Sequence, residues 1–153
     1  MPPRAFPCRT FRWKEVIHTA RMLENLRLEE TLLFLQESRR VLVKNGIIRV
    51  VIDDMKKLAE GYLSDGDVEA FLRRIDYAKH KKKTLMDKLK FMLDYERGRQ
   101  WHFDGTSMVR LLSDAGFSNA RIMPAGTTMI PDSSDLDLFE RSRDSEYIEA
   151  LKS

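Results

Sequence analysis

The chain has 153 residues, 42% hydrophobic and 33% charged, which fits one soluble globular domain and excludes a disordered or fibrous protein. Its 27 basic and 24 acidic residues leave a net charge of +3, too balanced to argue for nucleic acid on charge alone. The single cysteine, Cys8, excludes an internal disulfide, and no apolar run approaches the roughly 18–20 residues of a membrane helix. The opening MPPRAFPCRTFRW lacks the apolar stretch of a secretory signal, so the sequence predicts a cytoplasmic protein with no membrane span.

Residues 1–13 are rich in Pro and Arg, carry Phe6, Phe11 and Trp13 without a period, and read as an irregular arm. Lys14–Ala20 (KEVIHTA) is a strand candidate on the strength of Val16 and Ile17, and RMLENL leads from it into a helix. The spacing of Leu28, Leu32, Leu35 and Leu42, widened by Leu33 and Val41, predicts an amphipathic helix over 28–44. Glu29 and Glu30 at its start and Arg39, Arg40 and Lys44 at its end suit the helix dipole. Asn45-Gly46 supplies a left-handed stop, and the β-branched run 47–52 (IIRVVI, one interruption) reads as a strand buried on both faces.

Past Asp53-Asp54, helical stripes run over 55–63, 67–78 and 84–96, with a turn at Ser64–Asp67. The basic run Lys79–Lys83 separates the last two. Asp104 caps a helix carrying Met108, Leu111 and Leu112 and ending at Gly116, and 117–123 reads as a strand. Residues 124–144 form a long irregular stretch, and Tyr147–Leu151 is a last short strand.

Each chemical reading has a plainer rival. Asp53-Asp54 reads as a substrate-orienting pair or as the cap of the helix at Met55. Arg21 reads as a carboxylate contact or as ordinary surface. Lys79–Lys83 reads as a nucleic-acid contact through phosphate neutralisation, or as a solvated face, which its place between two amphipathic stripes and the acids that follow it, Asp87, Asp94 and Glu96, favour. His18, His80 and His102 lie too far apart for zinc, with no Cys or carboxylate at ligand spacing, so no metal is expected; Cys8 with His18 imitates a thiol nucleophile pair, but Cys8 has no activating surroundings. The eight methionines fall mostly on apolar faces, as core filler.

Three stretches, in order, resemble the C-terminal half of class I S-adenosylmethionine-dependent methyltransferases, close to the type 11-like branch. IHTARMLENLRLEETLLFLQESRRVLVKNGIIRVVIDD looks like the family's fourth strand, Leu-Glu-His-containing motif, helix and fifth strand. DGTSMVRLLSDAGFSNARI looks like its final helix, Ala-Gly-Phe turn and following strand, and IPDSSDLDLFERSRDSEYIEALK like its closing segment. Arg21 and Asn25 stand where the family usually has histidines, and Glu15 near the place of a usual aspartate. The Gly-rich cofactor loop is missing, since none of the seven glycines forms a G-x-G.

The resemblance implies an α/β, partial Rossmann-like fold lacking the family's first three strands: a single domain over 14–153 with a mixed sheet of about four strands and a helical insertion near 55–97. Strands near 16–20 and 47–52 would be parallel, and those near 117–123 and 147–151 would lie on the other side, at least one antiparallel. It implies S-adenosylmethionine as cofactor, with Ala20, Arg21 and Met22 as a remnant of its site. Asp53, Trp101 and His102 would lie on the substrate side, although the aromatic patch 101–103 serves equally as core cover. An incomplete enzyme needing a missing segment or partner, a non-catalytic regulatory remnant, and a nucleic-acid-associated protein are the three function classes. The edge left at 16–20 predicts a homodimer or a separate polypeptide pairing there.

Overall fold

The computed structural model describes residues 14–74 and 102–153. In chain order these form β1 (Lys14–Ala20), a 3-10 turn (Leu23–Asn25), α1 (Leu28–Val41), β2 (Leu42–Asp53), α2 (Met55–Asp65) and α3 (Val68–Arg74), followed by α4 (Gly105–Asp114), β3 (Ser118–Met123) and β4 (Ser145–Leu151). The strands make one mixed sheet in the order β1-β2-β4-β3. β1 and β2 run parallel, β4 is antiparallel to β2, and β3 is antiparallel to β4. This is the α/β arrangement the sequence predicts, with β1 as an edge strand among the described residues. The expected helix at 84–96, the basic run Lys79–Lys83, Trp101 and the arm 1–13 lie outside the described residues.

The register sorts the sheet into two faces. Ile17, Ile48 and Ala150 are cross-strand neighbours, as are Thr19, Val50 and Ile148. This face joins a single apolar cluster with Leu35 of α1, Met108 and Leu112 of α4, and Phe103 and Phe117. On the opposite face the register lines up His18, Arg49, Glu149 and Arg121 in one row across all four strands.

The opening helix differs from its sequence reading. It stops at Val41, and β2 begins at once and runs for 12 residues. Asn45 is left-handed (φ 62°), yet it lies inside β2, where the pairing with β1 jumps from Lys14–Leu42 to Val16–Ile47. The cause is the chain's other end. Lys152 exchanges backbone hydrogen bonds with Asn45 and Gly46, drawing 42–46 into the ladder. The Lys152 ammonium also donates to the carbonyls of Arg40 and Leu42 (3.4 and 2.6 Å), serving the helix end that the Asn-Gly pair was expected to close. Gly46 permits close approach instead, since a Cβ there would lie 2.9 Å from the Val43 carbonyl oxygen. The buried stripe of α1 is Thr31, Leu35 and Ser38, while Leu33 is 61% exposed.

Asp54 and Asp104 cap α2 and α4, accepting from the backbone N–H groups of Lys57 (3.0 Å) and Ser107 (2.7 Å). No helix among the described residues is long and apolar enough to cross a membrane.

Candidate functional site

β1 and β2 end side by side, and in open α/β sheets the carboxyl ends of parallel strands are where ligands bind. Arg21, the first residue beyond β1, is left-handed (φ 52°), and its N–H extends the ladder to the Val51 carbonyl at 2.9 Å. A non-glycine residue in this region carries strain of order 1 kcal/mol, which persists where surrounding contacts enforce it. Here the contact is an ion pair between the Arg21 guanidinium and the Asp53 carboxylate at the end of β2. Asp53 is 2% exposed and the Arg21 side chain 18%, so the pair sits at the edge of the protein interior with one side toward water.

Glu24, buried on the 3-10 turn, accepts the Asp53 N–H at 2.7 Å. One short turn thus fixes the backbone of Asp53 while Arg21 fixes its carboxylate. The structure brings together two residues that the sequence singles out separately, and the two aspartates divide their work: Asp54 is the helix cap, Asp53 the buried partner of Arg21. Ala20 is half-buried at the end of β1, and Met22 is exposed. His102 is exposed beside buried Phe103, and no hydrogen bond or ion pair links it to Arg21 or Asp53 among the described residues.

The same rim continues across β4 and β3. A cleft of about 300 Å³ opens there, lined by Asp54, Lys57, Ile122, Met123, Ser145 and Glu146 among others. Lys57 donates from its ammonium to Asp54 Oδ2 (2.9 Å) and to the Ser145 carbonyl (3.3 Å). Glu146 accepts the N–H of Gly105 at 2.6 Å. Burial and the neighbouring Asp54 push the Glu146 carboxyl above the usual carboxylate range; Asp104 adds to this, while the Gly105 N–H and Lys57 oppose it.

On the sheet face away from α1 and α4, Arg49 and Glu149 form a fully buried ion pair at 2.6 Å. Glu149 also accepts from Thr128 Oγ1 and the Met129 N–H, both at 2.6 Å, and Arg49 donates to the Thr127 carbonyl at 3.2 Å. The Arg49 guanidinium lies 4.8 Å from the Tyr147 ring centre. Tyr147 in turn donates its hydroxyl to the Glu140 carbonyl at 2.8 Å. These bonds fasten the irregular segment 124–144 to the sheet. The sequence marks Arg49 only as the interruption of an apolar run. Its pairing with a residue 100 positions later depends on the β2–β4 register, which local patterns do not contain. Glu24, Lys57 and Glu146 were missed for the same reason.

No family model and no curated protein matches the chain. Among solved structures it is similar to PigF with SAH, at 15% identity and a TM-score of 0.48 over 91% of this chain and 34% of that one. It is similar to human N-acetylserotonin methyltransferase in complex with SAM, at 15% identity and a TM-score of 0.47 over 91% of this chain and 29% of that one. It is also similar to the magnesium protoporphyrin IX methyltransferase of Synechocystis with bound SAH, at 15% identity and a TM-score of 0.42 over 94% of this chain and 48% of that one. The chain spans less than half the length of each of these three.

Proposed function

We propose that this chain is the C-terminal half of a class I S-adenosylmethionine-dependent methyltransferase fold, taking part in methyl transfer only with a polypeptide that supplies the cofactor lobe. The supporting observation is the Arg21–Asp53 pair at the ends of two parallel strands, within the stretches that resemble the family's fourth and fifth strands. On the far side β4 runs antiparallel to β2 and β3 antiparallel to β4, in keeping with the two further strands, at least one antiparallel, that the resemblance implies.

The described residues at the ends of β1 and β2 offer the adenosyl cofactor no complete site. Its ribose hydroxyls call for a free acidic side chain, and the two aspartates that follow one another at the end of β2 are engaged: Asp53 by Arg21, and Asp54 by the cap of α2 and by Lys57. No step of methyl transfer is therefore assigned to them. Their part is to shape the wall of a pocket, Arg21 and Asp53 presenting a neutral, rigid rim beside Ala20 and Met22. The partner, a separate polypeptide, would extend the sheet along β1.

Calorimetry with S-adenosylmethionine tests the reading. The chain alone gives no heat up to about 1 mM, whereas the complex recovered from its native cells contains a Gly-rich polypeptide and binds the cofactor. Tight binding by the chain alone overturns the need for a partner. A complex that stays silent overturns the enzymatic reading and leaves a non-catalytic module.

A further inference from the structure

We propose that the cleft at the start of β4 binds an organic amine, its ammonium on Glu146 and its apolar body against Ile122. The site goes beyond the methyl-transfer reading, because it requires neither the cofactor nor a second polypeptide.

The hydrogen-bond inventory identifies the acceptor. Both carboxylate oxygens of Asp54 are taken, Oδ1 by the Lys57 N–H and Oδ2 by the Lys57 ammonium. Glu146 has one oxygen on the Gly105 N–H, and its other oxygen has no donor among the described residues. Ser145 also lines the cleft; it is 1% exposed, and its hydroxyl has no partner.

Charge then chooses the ligand. Asp54, Asp104, Lys57 and the Gly105 N–H are the groups that act on Glu146. Lys57 is the one cation among them, and it is bound to Asp54, so among the described residues no cation pairs with the half-buried Glu146. An ammonium placed on Glu146 balances it, whereas an anion would meet Asp54, Asp104 and Glu146 together. No group of three His, Cys, Asp or Glu side chains among the described residues is placed to hold a metal ion.

Shape agrees with charge. Ile122 is 45% exposed at the end of β3, lines the cleft and lies on the same sheet face as Glu146, so its side chain gives the carboxylate an apolar neighbour. Gly105 lets that side chain and the carboxylate meet, since a Cβ at this position would lie 2.6 Å from Ile122 Cδ1 and 2.8 Å from Glu146 Oε2.

Benzylamine and benzoate, two probes of like shape and opposite charge, test the proposal by amide chemical-shift titration at pH 7.5. Benzylamine should shift the amides of Gly105, Met123 and Glu146 saturably, and benzoate should not. Glu146→Gln should weaken benzylamine about tenfold or more, the loss expected of a charge-assisted hydrogen bond. The glutamine still offers an oxygen to the Gly105 N–H, so the fold is kept, and an unchanged spectrum elsewhere verifies it. Lys57→Met, which removes the competing cation, should tighten benzylamine several-fold. Benzoate binding as well as benzylamine, no saturable shift with either probe, or benzylamine affinity indifferent to Glu146→Gln overturns the proposal.

Discussion

Replacing Glu149 by alanine tests how the segment 124–144 is held. The substitution leaves Arg49 charged with no counter-ion at a position without solvent exposure, and strips acceptors from the Thr128 hydroxyl and the Met129 N–H. Breaking a buried ion pair from one side costs about 3–5 kcal/mol. With a urea dependence of roughly 2 kcal/mol per molar for a chain of this size, the unfolding midpoint should fall by about 2 M. The double variant Arg49→Met/Glu149→Leu should behave differently. Arg49 in the native protein already leaves its Nε and Nη2 without partners, so the pair does not fully recover the cost of leaving water. Exchanging both residues for apolar ones removes that deficit and should restore the midpoint to within about 0.5 M of the parent, roughly 1 kcal/mol at that slope. Hydrogen exchange at Met129 should still quicken, because its acceptor is gone in both variants. A single variant that costs under about 1 kcal/mol, or a double variant as unstable as the single, refutes the reasoning.

Gly105→Ala should lower the melting temperature, since the new methyl meets both Ile122 and Glu146 at under 3 Å, an overpacking cost of about 1–3 kcal/mol. Asp54→Ala should cost about 1 kcal/mol as a lost helix cap. Asp53→Asn should cost more, about 2 kcal/mol, yet less than a fully buried pair because Arg21 keeps contact with water; urea titrations rank the two. Burial lowers the His18 pKa, with Arg49 adding to the effect and Glu140 opposing it. The unfolded chain therefore binds this proton first. The contribution of neutral His18 is intact above about pH 6.5 and is lost as pH falls from there through the lowered folded value, so His18→Gln should flatten that part of the stability profile. Glu146 has the opposite sign. Its folded pKa is raised, so its contribution is full below the unfolded value and is lost as pH rises through the folded one; Glu146→Gln should match or exceed the parent's stability at pH 7 and lose that advantage near pH 4.

What the sequence disclosed and what it hid follow from range. The apolar runs of β1 and β2 and the caps Asp54 and Asp104 are local, set by side-chain period and by a carboxylate three residues from the N–H it accepts. The parallel pair and an antiparallel strand beyond it followed from resemblance. The end of α1 was misplaced because Asn45-Gly46 is a sound local stop, overridden when Lys152 returns to pair beside it. Leu33 was assigned inward because it is apolar, while Thr31 and Ser38 hold the buried positions of the helix. Asp53 and Arg21 were each visible as candidates; their pairing needed the two strands to end in register, and Glu24 needed the turn between them.

The two halves of the rim differ in what they leave open. At the end of β1 and β2 the charges answer one another: Arg21 on Asp53, and Glu24 on the Asp53 backbone. Such a site offers shape more than free charge. Around β4 the account does not close, because Lys57 is spent on Asp54 while Glu146 stands half-buried with one oxygen unused and its carboxyl pushed toward the neutral form. Desolvation that a fold has not compensated is what a ligand can relieve. Arg21 and Asp53 therefore brace the rim, and its open carboxylate lies one strand further along, where Glu146 meets the cleft.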